Sequence, residues 1–188
     1  MIKRSFDLLI SLITFILMLP VLLLIAVAIK LDSPGPIIFR QKRVGLNNQF
    51  FTIYKFRTMR TDTPDVPTHL LGDPSQYVSR LGRWLRKTSL DELPQLVNIM
   101  LGQMTLVGPR PALYNQTELI ELRTAYGVHK VRPGLTGWAQ VNGRDEISDL
   151  EKAQYDQYYV EHRNFLFDLK ILTKTCQHVV SAKGVRTQ

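Results

Sequence analysis

"LLISLITFILMLPVLLLIAVAI", residues 8–29, carries no charged side chain; Lys3, Arg4 and Asp7 precede it, and Lys30 and Asp32 follow. As a helix rising about 1.5 Å per residue it is long enough for a hydrocarbon core of ~30 Å. Three readings compete. A cleaved signal peptide would use Lys3-Arg4 as its basic start and Ala26-Val27-Ala28 as its cleavage site, but the apolar run is longer than such leaders carry. A plain transmembrane helix is the second. The third is a re-entrant helix that bends near Pro20 and returns to the side it entered. Pro20 removes the bond to the Ile16 carbonyl and crowds that turn, so a kink is expected. Lys3 and Arg4 at one end, with Lys30, Arg40, Lys42 and Arg43 at the other, give both ends the same cytoplasmic preference. On the residues alone, spanning and re-entrant stand level.

The chain of 188 residues has room for an anchor, 1–32, and one domain, 33–188, beginning at the helix-breaking "SPGP". A formal net charge of +8 calls for an anionic partner: nucleic acid, anionic lipid or a phosphorylated substrate. Cys176 stands alone, so no intrachain disulfide forms, and His69, His129, His162 and His178 lie too far apart in sequence for a zinc site. A metal would sit on oxygen ligands.

"IIFRQKRVG" and "QFFTIYKFRTM" are rich in β-branched and aromatic residues and flank Gly45-Leu46-Asn47-Asn48, which predicts a hairpin. Alternation sends Lys55 and Arg57 to one face and Tyr54 and Phe56 to the other. In "YVSRLGRWLRK", Val78, Leu81, Trp84 and Leu85 recur at helical spacing among Arg80, Arg83 and Arg86. The amphipathic helix either packs its stripe on the core or lies among anionic headgroups. A second helix is predicted from about Asp91 to Leu101, Gly/Pro-rich loops at "VGPRPAL" and "VRPGLTGWAQVNGRD", and a largely helical stretch from Ser148 to Ser181. The fold class is α+β, mostly helical.

Asp91 and Glu92 have two readings. Ser89-x-x-Glu92 matches a capping box, which makes the pair an ordinary helix start. Alternatively, carboxylates held ionised by helix donors and by Arg86 and Lys87 are nucleophiles toward phosphorus, provided cations such as Arg57, Arg110 and Arg132 and a divalent metal offset the repulsion. A non-enzymatic basic membrane adaptor for anionic lipid or nucleic acid fits the first reading.

"YKFRTM", "SLDELPQLVNIMLGQMTLVGPRP" and "VRPGLTGWAQVNGRD", in that order behind a basic-flanked apolar segment, resemble the bacterial sugar transferase family of monotopic polyprenyl-phosphate phosphoglycosyl transferases, in its minimal catalytic form. The resemblance implies transfer of a phosphosugar from a UDP sugar to undecaprenyl phosphate at the cytoplasmic face of the bacterial inner membrane, releasing UMP. It implies Asp91 as nucleophile and Mg²⁺ ligand, Glu92 as its assistant, and a covalent phosphosugar intermediate. Lys55, Arg57, Arg86, Arg110, Arg132, Gln140, Asn142 and Arg144 become expected phosphate or nucleotide contacts, and Asp156 an expected support for the metal or the fold. It favours the re-entrant form of the anchor, with Leu19-Pro20 where Ser-Pro is frequent. It implies membrane lipids and no nucleic acid as partners, and leaves a homodimer open.

Overall fold

The structure is a computed structural model and describes residues 2–63, 76–143 and 147–181. Helix α1 (Ile2–Asp32) carries the apolar segment, with Pro20 inside it. Strands β1 (Ile38–Val44) and β2 (Phe50–Phe56) form the expected antiparallel hairpin, with Lys42 opposite Thr52. Its loop turns through Asn47 and Asn48 at positive φ, a conformation asparagine tolerates. Helix α2 (Arg80–Thr88) follows, then a 3₁₀ turn (Leu90–Glu92) and α3 (Gln95–Met100). Next come β3 (Thr105–Val107), α4 (Thr117–Ala125), β4 (Gly134–Thr136), α5 (Trp138–Asn142), α6 (Asp149–His162) and α7 (Phe165–Ser181). Strands β3 and β4 pair in parallel; β3 ends at Val107, where the first of the two loops read from sequence begins, and β4 and α5 lie inside the second.

α1 lies along the domain. Phe6, Ile10 and Phe15 pack on a core built from Ile53, Leu96, Ile99, Met104, Val107 and Ile171. Leu22, Ile25 and Ile29 join Phe56 and Leu85 in a second cluster. Both ends are also tied by polar contacts. Lys3 donates to Asp168 (2.6 Å), Arg4 to the carbonyl of Ile99 (2.7 Å), and buried Asp7 accepts from the Thr105 hydroxyl. At the far end Arg57 donates to the carbonyls of Ser33 and Pro34, both at 2.7 Å. The opposite face of α1, including Leu9, Ile16, Leu17, Leu23 and Leu24, is exposed. A helix of this length and apolarity with its outer face uncovered marks the chain as membrane-associated.

α2 packs part of its apolar stripe on the core. Ser79 caps it by accepting from the Gly82 amide, and Leu85 is fully buried, whereas Trp84 is half exposed among arginines. Gly82 sits where a Cβ would overlap the Thr58 carbonyl. Helix propensity alone favours Gly82→Ala by about 1 kcal/mol. The overlap reverses that sign, and a thermal melt of the variant should show a lower midpoint.

Candidate active site

Asp91 and Glu92 lie on the 3₁₀ turn between α2 and α3. The capping box expected from Ser89 does not form. Ser89 is the left-handed residue closing α2 (φ 56°), and its side chain caps neither turn. The helix expected from Asp91 starts only at Gln95, because Pro94 lacks the amide that would join the 3₁₀ turn to α3. Both carboxylates are thus held on a tight turn facing the hairpin and the β3–α4 loop, and both residues are less than a tenth exposed.

Glu92 Oε1 accepts from Lys55 Nζ of β2 (2.8 Å) and from Arg110 Nη2 of the β3–α4 loop (2.9 Å). Asp91 accepts no hydrogen bond among the described residues, although Lys55, Arg86 and Arg110 all act on it through their charge. Burial nevertheless outweighs these cations and pushes the Asp91 carboxyl up to about 6. The group still ionises below neutrality, as the sequence reading expects, but without the help of helix donors: the turn is too short to supply them, and desolvation works against the charged form. Burial likewise lowers the Lys55 ammonium against the attraction of Glu92. If ionised Asp91 reacts, kcat/KM of the free enzyme should rise with pH to half its plateau near 6. It should fall again on the alkaline side as Lys55 loses its proton, and a pH–rate profile with Asp91→Glu as comparison checks this.

The other expected site residues separate. Arg86, at the end of α2, faces Asp91 through its charge. Gln140 and Asn142 of α5 line a cavity of about 690 Å³ that Glu92 borders, together with Thr136, Thr175 and His178. Gln140 donates to the Leu135 carbonyl, while its buried Oε1 has no partner among the described residues. Arg57 is turned away from the acidic pair: it is 6% exposed, and its guanidinium holds the carbonyls that end α1. Arg132 is exposed and donates to the Gly102 carbonyl, beyond the far end of α3. Arg144 lies outside the described residues.

Asp156 is 1% exposed, and its Oδ2 accepts from Nε and Nη2 of Arg123 at 2.9 and 2.5 Å. It holds an arginine inside the protein. Arg123 itself was not singled out from sequence. The available signal was its spacing, four residues after Leu119, which puts a cation on the buried stripe of α4.

A domain carrying a long apolar helix thus presents two buried carboxylates to Lys55, Arg86 and Arg110. Residues 1–182 match the family described as bacterial sugar transferase, and the chain belongs to that enzyme family. It is 41% identical to the uncharacterized sugar transferase EpsL of Bacillus subtilis, over 98% of this chain and 90% of the relative. It is also 41% identical to the UDP-glucose:undecaprenyl-phosphate glucose-1-phosphate transferase of Escherichia coli, over 93% of this chain but only 39% of that protein. With the UDP-N-acetylgalactosamine-undecaprenyl-phosphate N-acetylgalactosaminephosphotransferase of Aeromonas hydrophila the identity is 37%, over 98% of this chain and 45% of the relative.

Proposed function

We propose that this chain transfers a sugar 1-phosphate from a UDP sugar to undecaprenyl phosphate through an adduct on Asp91. The observation that carries the reading is the contrast between two adjacent carboxylates: Glu92 is clamped by Lys55 and Arg110, while Asp91 is buried and accepts no hydrogen bond among the described residues. Such a division separates a reacting group from a positioning one. The activities for which the relatives in Escherichia coli and Aeromonas hydrophila are named supply the donor and acceptor classes.

In the first half-reaction an Asp91 oxygen attacks the sugar-bearing phosphorus. The bond from that phosphorus to the bridging oxygen breaks, and UMP leaves with the electron pair. In the second, a phosphate oxygen of the acceptor attacks the same phosphorus, the bond to Asp91 breaks, and the carboxylate is regenerated alongside a polyprenyl diphosphate sugar. Lys55, Arg86 and Arg110 lower the repulsion between carboxylate and phosphate. Two neighbouring hard oxygen donors, one accepting no hydrogen bond among the described residues, suit Mg²⁺, which is commonly held by one or two carboxylates together with substrate phosphates. Asp91 would be its protein ligand, and the ion would neutralise charge developing on the diphosphate.

The ties at both ends of α1 support an anchor that enters and leaves on one side, since Lys3, Arg4 and Asp7 and the Arg57-held terminus meet the same domain. The membrane face this reading assigns is the cytoplasmic one, where UDP sugars are made. Purified protein incubated with a panel of UDP sugars and undecaprenyl phosphate should release UMP for at least one donor, and chelation with EDTA should stop it until Mg²⁺ is restored. Release of UMP that continues unchanged in EDTA would remove the metal from the proposal, and no release with any donor would overturn it.

A further inference from the structure

We infer that Arg123 and Asp156 are positioning residues for Arg110, holding the backbone from which its guanidinium reaches Glu92. The inference rests on the phosphoglycosyl transfer proposed above. Residues 109–112 form the turn Pro109-Arg110-Pro111-Ala112, whose two prolines donate no hydrogen bonds. Its hydrogen bonding therefore runs largely through its carbonyls, and all four accept. Pro109 takes the Gly134 amide (2.8 Å), Ala112 the Val44 amide (3.0 Å), Pro111 the Arg43 guanidinium (3.0 Å) and Arg110 the Nη1 of Arg123 (2.8 Å). The turn is also packed, since Pro109, Pro111 and Ala112 are buried and Ala112 sits against Leu119 and Ala153, so the carbonyl bonds fix its orientation within that seat.

Arg123 can hold that carbonyl because its other two nitrogens are fixed by Asp156 in a planar, pre-organised fork. The path is continuous: Asp156 fixes Arg123, Arg123 fixes the Arg110 carbonyl, and the Arg110 side chain reaches Glu92 Oε1 at 2.9 Å. Neither Arg123 nor Asp156 contacts the acidic pair directly. Lysine at 123 would keep the charge opposite Asp156 but cannot bind both it and the Arg110 carbonyl with the same geometry. Displacing a charge-stabilising group by about 1 Å costs on the order of 10²-fold in rate.

The test is a cycle of Arg123→Lys, Arg110→Ala and the double variant, each as full-length protein in detergent, with Asp156→Asn as a second probe of the same fork. Arg123→Lys should lower kcat for UMP release by about 10²-fold at a nearly unchanged thermal midpoint. In the Arg110→Ala background it should lower it less than about twofold. Multiplying penalties would show that Arg123 acts by some route other than Arg110, and would overturn the inference.

A second readout needs no turnover. The ¹³C carboxyl resonance of labelled Asp91, assigned with Asp91→Asn, should titrate at higher pH in Arg123→Lys, as in Arg110→Ala, because Arg110 is among the cations lowering it. Glu92, Lys55 and Arg86 are retained in the sequence of every variant. An unshifted titration in Arg123→Lys beside a shifted one in Arg110→Ala sinks the positioning role even if the chain proves to have a different activity. Wild-type protein that titrates as described yet releases no UMP from any donor sinks the transfer reading alone.

Discussion

Asp91→Asn is expected to abolish UMP release, by about 10⁴-fold or more, while leaving a folded and membrane-bound protein. Intact-mass analysis of the wild type given donor without acceptor should show a heavier chain, with the added mass mapped to Asp91, and the Asn variant should show none. The same substitution should stabilise the fold at neutral pH. The folded-state value for Asp91, about 6, lies above the ordinary 3.8. Between those values the folded chain holds more proton than the unfolded one. The contribution of this group is therefore fullest below about 3.8 and is lost as pH rises through 6. An amide never ionises and escapes that loss, by up to about 3 kcal/mol at pH 7.5. A thermal midpoint that rises at pH 7.5 but not at pH 4, together with lost activity, is the expected pattern. An Asn variant that turns over at the wild-type rate would show that no bond to phosphorus forms at this position.

Arg57→Met should cost roughly 3 kcal/mol or more, because it leaves the Ser33 and Pro34 carbonyls without the charged donor that holds them. The loss should free the end of α1 from β2, so that limited proteolysis near Asp32 accelerates as the thermal midpoint falls. Lys55 lies two residues before Arg57, and activity should decline with the fold. The family resemblance places Arg57 among phosphate contacts, and the two roles differ in outcome. A variant with an unchanged midpoint and a raised KM for the donor would restore the phosphate role and remove the capping one.

The Glu92 clamp shows why the hairpin and the acidic turn were each legible in sequence while their meeting was not. Alternation sets the face of Lys55, and Pro94 sets the break before α3, both by local sterics. No local rule brings β2 to within 2.8 Å of a carboxylate 37 residues later. Ser89 is instructive in the other direction: its spacing to Glu92 is that of a capping box, but closing α2 in the left-handed conformation removes the geometry the box requires. The capping box that does form is Ser148 with Glu151, at the start of α6.

By itself, the sequence determined the apolar helix, the hairpin, the basic balance and the two neighbouring carboxylates, because these depend on hydrophobic length, strand periodicity and formal charge. Tertiary structure alone decided which arginines meet those carboxylates and which hold backbone. It turned Arg57 to the end of α1, buried Arg123 on Asp156, and raised Asp91 in spite of its cations. The physical reason is that desolvation and hydrogen-bond geometry depend on what surrounds a group in space, and residues far apart in the chain supply most of those surroundings.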